Sequence, residues 1–537
     1  MSEHREHHSA LSPFRLPVFA GLWTANVIST TGGYINDVGA AWLMTSLSAS
    51  PLMVSLIQVA ANAPFFVLAL PAGALGDILN KRKLLLATQV AMMILSALLG
   101  VLTMLGLVSP ISLLLILFGI EVFDALAGPA WQTLVPEIVG PNDLRPAITL
   151  NSVGINVARS VGPALGGALV AVARSSGPAF LINAASFLAV LVFLWRWKGR
   201  PQNSALPAER FLGAMRVGVR YVRYSPRFRA TLVRIAAFLL FANALPSLLP
   251  VIARSYLHRG PGAYGVLLGF MGVGAVAAVP VLQIAQRTIK LDVLLAIATA
   301  LSAGVELAIG AVPSFPWLCG IMLLAGVAWV TVMSSVNNAA QSVLPAWVRA
   351  RAMSVYLMAF FGSMTAGGIL WGILATRLGA PHALTIAACG MFATLALIPR
   401  FRLIDHEKLD LTPSLHWPAP VVAQTPADDR GPVLIAVEYE VDPRHTEQFV
   451  KAMQRLRLQR MRTGAFSWGL FNDTADPTRF VETFLSDSWA EHVRQHARVT
   501  KHDQEIEDAL GQFLVGKGRP IVRHLIHTDM SSQKTAD

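Results

Sequence analysis

Between Leu84 and Ile120 the chain reads LLLATQVAMMILSALLGVLTMLGLVSPISLLLILFGI, 37 residues without a single Lys, Arg, Asp or Glu. A helix needs about 20 apolar residues to cross the hydrocarbon of a bilayer, so this run is long enough for two crossings. Val108-Ser109-Pro110 breaks it into an antiparallel pair. Upstream, Asp77 is the only charge between Val38 and Leu79. The same reading carried along the chain predicts twelve spans: 18–42, 52–76, 84–107, 111–134, 147–172, 178–196, 231–253, 263–286, 291–312, 316–337, 352–375 and 381–399.

Composition agrees with this reading. Of 537 residues 54% are hydrophobic and 14% charged, whereas soluble domains carry about 25% charged residues. The 43 Lys plus Arg against 31 Asp plus Glu leave +12, and the placement of that excess points to a bilayer rather than nucleic acid. Lys81, Arg82 and Lys83 follow span two. The connection after span six carries Arg196, Lys198, Arg200, Arg210, Arg216, Arg220, Arg223, Arg227 and Arg229 against Glu209 alone. The alternate connections hold few cations, which puts both termini on the cytoplasmic side of a plasma (inner) membrane. Residues 1–17 lack the apolar core of a secretory signal peptide. Cys319 and Cys389 lie in apolar runs and read as packing residues, with no disulfide framework and no metal site.

An internal repeat organises the spans. Gln132-Thr133-Leu134-Val135-Pro136-Glu137-Ile138-Val139 recurs as Gln341-Ser342-Val343-Leu344-Pro345-Ala346-Trp347-Val348, and Leu165-Gly166-Gly167 matches Ala366-Gly367-Gly368. Six spans thus read as duplicated, a pattern that places a substrate path between the halves near the midplane. The expected organisation is a tail 1–17, a six-helix half 18–196, a basic linker 197–230, a second half 231–402, a Pro- and Ala-rich linker 403–430 and a soluble domain 431–537.

Gly73-Ala74-Leu75-Gly76-Asp77-Ile78-Leu79-Asn80-Lys81-Arg82-Lys83 resembles the signature loop of the major facilitator superfamily, with Ile78 and Asn80 standing where Arg and Gly are usual. The resemblance implies a gating latch built on Gly73, Asp77, Lys81 and Arg82; the plainer reading is a basic anchor at the inner leaflet. Gly162-Pro163-Ala164-Leu165-Gly166-Gly167 is similar to the antiporter motif of proton-coupled exporters in that superfamily. Proline frees a carbonyl and glycines admit a close helix neighbour, which serves either a bend between halves or tight packing alone. Leu134-Val135-Pro136, Ala147, Asn151, Arg159 and the Gly-Pro run, with Gly33, Trp42 and Ser50-Pro51, resemble the transmembrane secretion effector branch, which includes enterobactin export and macrolide efflux relatives. That implies a proton-coupled exporter of a small amphipathic compound, not an enzyme and without a cofactor.

Charges inside spans are costly and mark function by default. Glu121 and Asp124 lie three apart on one face of span four, about 16 to 21 Å along it, and Arg159 reaches a similar depth on span five. An Arg beside two carboxylates holds one ionised and leaves the other to take up and release a proton, so these three are the candidate coupling site. A buried ion pair that only fixes packing is the alternative. Asp37 is a candidate lining residue, and Glu306 is expected to snorkel outward. Phe65, Phe66, Trp131, Trp329 and Trp371 are candidate cargo contacts, although such residues more often pack.

Residues 431–537 hold 14 Lys plus Arg and 15 Asp plus Glu, a separate soluble unit. Its periodicity predicts βαββαβ, a ferredoxin-like order. It resembles dimeric α+β barrels related to antibiotic biosynthesis monooxygenases, which implies a homodimerising or regulatory module. His492 and His496, four apart on one helix face, suit a metal, but further ligands are not evident and the residues read as solvated or interface histidines. A membrane-anchored enzyme or a sensor, with the activity in this tail, is the alternative function.

Overall fold

The computed structural model describes residues 11–528 except 79, 141–142, 198–210, 312–313, 404–408, 419, 421, 423–426, 428–429 and 516–519. The side chains of 70, 73–78, 145 and 211–215 also lie outside the described residues. The first six long helices are α1 (Pro17–Leu47), α2 (Pro51–Ile78), α3 (Lys81–Met104), α4 (Pro110–Ile138), α5 (Leu144–Ala173) and α6 (Gly177–Arg196). A basic helix, α7 (Phe211–Tyr224), follows. Then come α8 (Pro226–Ala242), α9 (Ala244–Val251), α10 (Pro261–Thr288), α11 (Leu291–Ala311), α12 (Phe315–Ser342), α13 (Ala346–Leu378) and α14 (Ala380–Thr394).

The punctuation of these helices is written in the chain. Proline opens α1, α2, α4, α8 and α10, where its missing N–H costs nothing. Ser109 caps α4 in a reciprocal box with Ser112, so the break inside the charge-free run is a built turn. Gly379, at φ +87°, joins α13 to α14 in a conformation that L side chains resist.

Eleven described helices are long and apolar enough to cross a membrane. The expected first span is also a helix, of 31 residues, but Asn26, Ser29, Thr30, Thr31, Asn36 and Asp37 make it the polar one. Expected span seven is one passage built from α8, α9 and a wide turn, Ile252–Tyr256, after an interruption at Asn243. Outward-facing Leu105, Leu107, Ile111, Leu115, Val172, Val281 and Trp317 are more than half exposed, as suits contact with lipid. Cys319 is buried in the apolar core, but Cys389 is exposed on α14, so it does not pack as expected. The chain is an integral membrane protein.

The contacts divide the chain into two units: Met1–Ala208 with Thr231–Asn338 and Tyr356–Asp405, and Glu209–Ala230 with Ala339–Val355 and His406–Asp537. In the first unit an apolar core runs through both halves, including Met44, Leu99, Leu113 and Phe180 of one and Leu248, Leu267, Met322 and Trp371 of the other. The second unit contains a four-stranded antiparallel sheet made of β1 (Val433–Glu440), β2 (Ser467–Asn472), β3 (Arg479–Ser486) and β4 (Ile521–Ile526), in the order β2-β3-β1-β4. With α15 (Thr446–Thr463) after β1, and α16 (Trp489–Arg498) and α17 (Lys501–Asp508) after β3, this is the ferredoxin-like order. Buried and half-buried residues alternate along β1 and β3, and their inward side chains meet Phe449, Met453 and Leu456 of α15.

The basic segment does more than face lipid. Arg220 on α7 donates to Glu491 of α16 at 3.1 Å, and Glu491 is held from the other side by Arg498. Tyr221 donates to the Val343 carbonyl, and Arg498 lies 4.7 Å over the ring of Trp347. Of the segment expected to be a linker, residues 211–230 are therefore part of the second unit.

Candidate functional site

A polar stripe on α1 builds the principal cavity. Asn26, Ser29 and Thr30, Gly33 and Tyr34, and Asn36 and Asp37 recur at helical spacing and all line it. From α4 come Glu121 and Asp124, with Gln89 of α3, Asn183 of α6 and the ring of Trp131. The cavity measures about 350 Å³ and lies wholly within the first six helices. Asp37 is exposed to it although Asn36 and Val38 beside it are buried, and Glu121 and Asp124 are half-buried. Three carboxylates within coulombic reach thus share one water-accessible chamber inside an apolar bundle.

Arg159 joins this site differently from the expectation. Among the described residues no ion pair links it to Glu121 or Asp124; its Nε donates to Tyr34 Oη at 3.0 Å, and Tyr34 faces the cavity. The guanidinium is therefore one side chain removed from the acids. Pro163, four residues on, cannot donate to the Arg159 carbonyl.

The glycines of the same helix form two contacts. Gly162 and Gly166 face α1, where a methyl at Gly162 would meet Tyr34 Cβ at 2.6 Å. Gly167 faces α10 of the other half: an added methyl would lie 2.7 Å from the Pro261 carbonyl oxygen and 2.8 Å from Gly265 Cα. A methyl added at Gly265 would in turn lie 2.6 Å from Pro163 O and 2.8 Å from Gly167 Cα. The α5–α10 crossing is a backbone-to-backbone seam that any side chain would pry open.

Hydrogen bonds from Leu52 N to Thr376 Oγ1 and from Arg254 to Thr45 and Ser46 also join the halves, and Arg254 sits 5.7 Å over the Trp42 ring. All of these lie at the end where α1 finishes and α2 begins. Near the middle, Phe65 stacks on Phe361 at 4.8 Å, while neighbouring Phe66 is exposed.

The basic cluster after α2 works within its own half. Lys81 pairs with Glu137 near the end of α4, and Arg82 donates to the carbonyls of Leu194 and Trp195 at the end of α6. Cations at helix C-termini are favourable there. Gly73 and Asp77 belong to the helical backbone of α2, and their side chains lie outside the described residues.

Glu306 does not snorkel. It is 2% exposed and lines a separate apolar cavity of about 150 Å³ with Trp329, Phe238 and Met271, and its Oε2 has no hydrogen-bond partner among the described residues. Trp371 is a packing residue, its Nε1 bonded to the Leu240 carbonyl. The polar lining residues that sequence reasoning missed are Asn26, Ser29, Thr30, Tyr34, Asn36, Gln89 and Asn183. The α1 members carried a readable signal, a seven-residue polar repeat in an otherwise apolar helix; Gln89 and Asn183 carried none.

A family model described as transmembrane secretion effector matches residues 8–533. The multidrug efflux pump Tap of Mycolicibacterium fortuitum is 26% identical over 412 residues, covering 73% of this chain and 97% of that protein. The staphyloferrin A transporter of Staphylococcus aureus (strain NCTC 8325 / PS 47) is 24% identical over 256 residues, and the match spans 47% of this chain and 63% of that relative. Among solved structures, a POT family transporter in complex with a thioalcohol-conjugated peptide aligns with a TM-score of 0.60 at 14% identity, over 72% of this chain and 96% of its own. An inward-facing, unoccupied bacterial homolog of the human lysosomal transporter Spinster gives a TM-score of 0.55 at 14% identity, over 72% and 95%.

Proposed function

The chain belongs to the transmembrane secretion effector family of major facilitator transporters, and on that premise we propose that it exports a small amphipathic compound, a siderophore, antibiotic or drug, across the plasma membrane in exchange for protons. The single observation that carries this reading is the cavity in which Asp37, Glu121 and Asp124 meet. Carboxylates in a water-accessible chamber at membrane depth take up and give back protons as the chamber changes sides. Asp124 and Glu121 are the carriers in this reading. Arg159 acts through Tyr34, aligning its hydroxyl at the cavity wall.

With both termini cytoplasmic, the end where α1 meets α2 is the outer one. The contacts of Arg254 and Leu52 then close the outer side, and the conformer faces inward. Rocking about the α5–α10 seam exchanges the two states, with the Gly73–Arg82 loop latching the halves and the glycines of Gly162–Gly167 as the bearing. The names of the two curated relatives, one a siderophore transporter and one a multidrug pump, support the cargo class. The C-terminal domain serves without turnover of its own, pairing two chains through apolar residues exposed on its sheet, among them Phe471, Ile521 and Leu525.

The test is proton-driven uptake of labelled siderophores and macrolides into inverted vesicles. Asp124→Asn with Glu121→Gln is expected to abolish the response to a pH gradient while leaving cargo binding measurable. Intact coupled transport in the double variant would remove these residues from the mechanism.

A further inference from the structure

The fold brings a third histidine to the pair on α16. His492 and His496 stand one turn apart, and His524 arrives from β4, the strand paired with β1 at the sheet's edge. One ring nitrogen from each lies within 4.8 Å of the other two. His492 Nε2 and His496 Nε2 are 3.3 Å apart. Two imidazole nitrogens bound to one tetrahedral zinc at about 2.0–2.1 Å stand about 3.3–3.4 Å from each other, so this pair already has the spacing of a chelate.

The surroundings suit a cation. His492 is 1% exposed, which corrects the reading of a solvated histidine. Arg460, a cation whose charge reaches His492 and His496, is itself bound by both Glu482 and Glu507, leaving those three groups with one net negative charge. Trp489 packs against His492 and His524, and Trp417 meets His496 edge-on at 5.0 Å, which fixes the rings. Among the described residues the cluster contains three ligands, so a water or a small anion would complete a four-coordinate site.

We propose that His492, His496 and His524 form a binding site for a transition-metal dication of the zinc class in the C-terminal domain. The site is independent of the transport reading and stands or falls without it. Imidazole donors in this number suit zinc, cobalt(II) or nickel(II) rather than magnesium or calcium.

The experiment uses the full-length chain, without an affinity tag, purified in detergent, stripped with chelator and titrated with Co²⁺ and then Zn²⁺. Wild type is expected to develop the visible absorption of tetrahedral cobalt, bleached by one equivalent of zinc. His496→Ala and His524→Gln are expected to lose it, with affinity falling more than about 100-fold, the upper range for changes outside the ligand sphere. His527→Ala, an exposed residue beyond β4, is expected to bind as wild type does. His4, His7 and His8 stay in every variant, so binding there cancels. Unchanged thermal unfolding of the metal-free variants shows that the domain has folded. Absence of the tetrahedral spectrum in wild type, or equal affinity in the folded variants, would overturn the proposal and leave a histidine hydrogen bond.

Discussion

Gly33 offers the sharpest single-residue probe of the cavity. It lines the acidic cavity, has ordinary helical backbone, and a methyl added there meets nothing within 4 Å. Gly33→Leu is therefore expected to fold normally and to fill the chamber, lowering efflux at least about tenfold with an unchanged melting temperature. A melting temperature lowered in step with activity would show that the position packs. In the C-terminal domain the buried Arg460 holds Glu482, 0% exposed, and Glu507 with its guanidinium. Arg460→Met leaves a buried carboxylate unpaired and is expected to cost about 3–5 kcal/mol, read as faster hydrogen exchange across β1 and β3 in the full chain. Burial alone would raise Glu507, but Arg460, His416 and Trp417 outweigh it and bring it down to about 2. The stability this group supplies is complete above its unfolded value near 4.5 and is lost as pH falls toward 2. In Arg460→Met the acid transition of this domain should move to higher pH.

At the scale of elements, the α5–α10 seam separates packing from space. Gly167→Ala puts a methyl against the backbone of Pro261 and Gly265 and is expected to slow transport several-fold, and Gly167→Leu to abolish it. Gly128→Ala on α4, where nothing lies within 4 Å, is the control and should be neutral or slightly stabilising. Wild-type transport by Gly167→Leu would mean that the seam is not a bearing. Much of this level was legible. Long charge-free runs, the Val108-Ser109-Pro110 break and the Gly-Pro-Ala-Leu-Gly-Gly run are local signals, and each lies in the helix or turn expected of it. The partner of Arg159 was not legible, because Tyr34 lies on a helix distant in sequence and a guanidinium donates to either a carboxylate or a phenol. Glu306 was misread for a related reason: its depth along α11 was readable, but whether its face turned inward depended on α12 and α9. His524 stayed hidden because a strand's register decides which of its residues meets α16.

In the membrane unit the described residues join the two halves through few polar contacts, and Arg254 supplies two of them together with the Trp42 stack. Arg254→Ala is expected to weaken that closure and shift the population toward the opposite state by about 1–2 kcal/mol, seen as greater labelling of the cavity from the α1 C-terminal side. The duplicated Gln-x-x-x-Pro segments lead into α5 and α13, the first as the last turns of α4 and the second as the end of α12 and the turn after it. Where the acids would converge was less legible, since they come from two helices of one half. The most direct measurement places one thiol in the cavity, Gly33→Cys, in a chain whose Cys319 and Cys389 are replaced by Ala. Membrane-impermeant reagent is then applied from each side, with and without cargo and a pH gradient. Alternating access predicts labelling from both sides, in proportions that shift with the gradient; labelling confined to one side under every condition would contradict it.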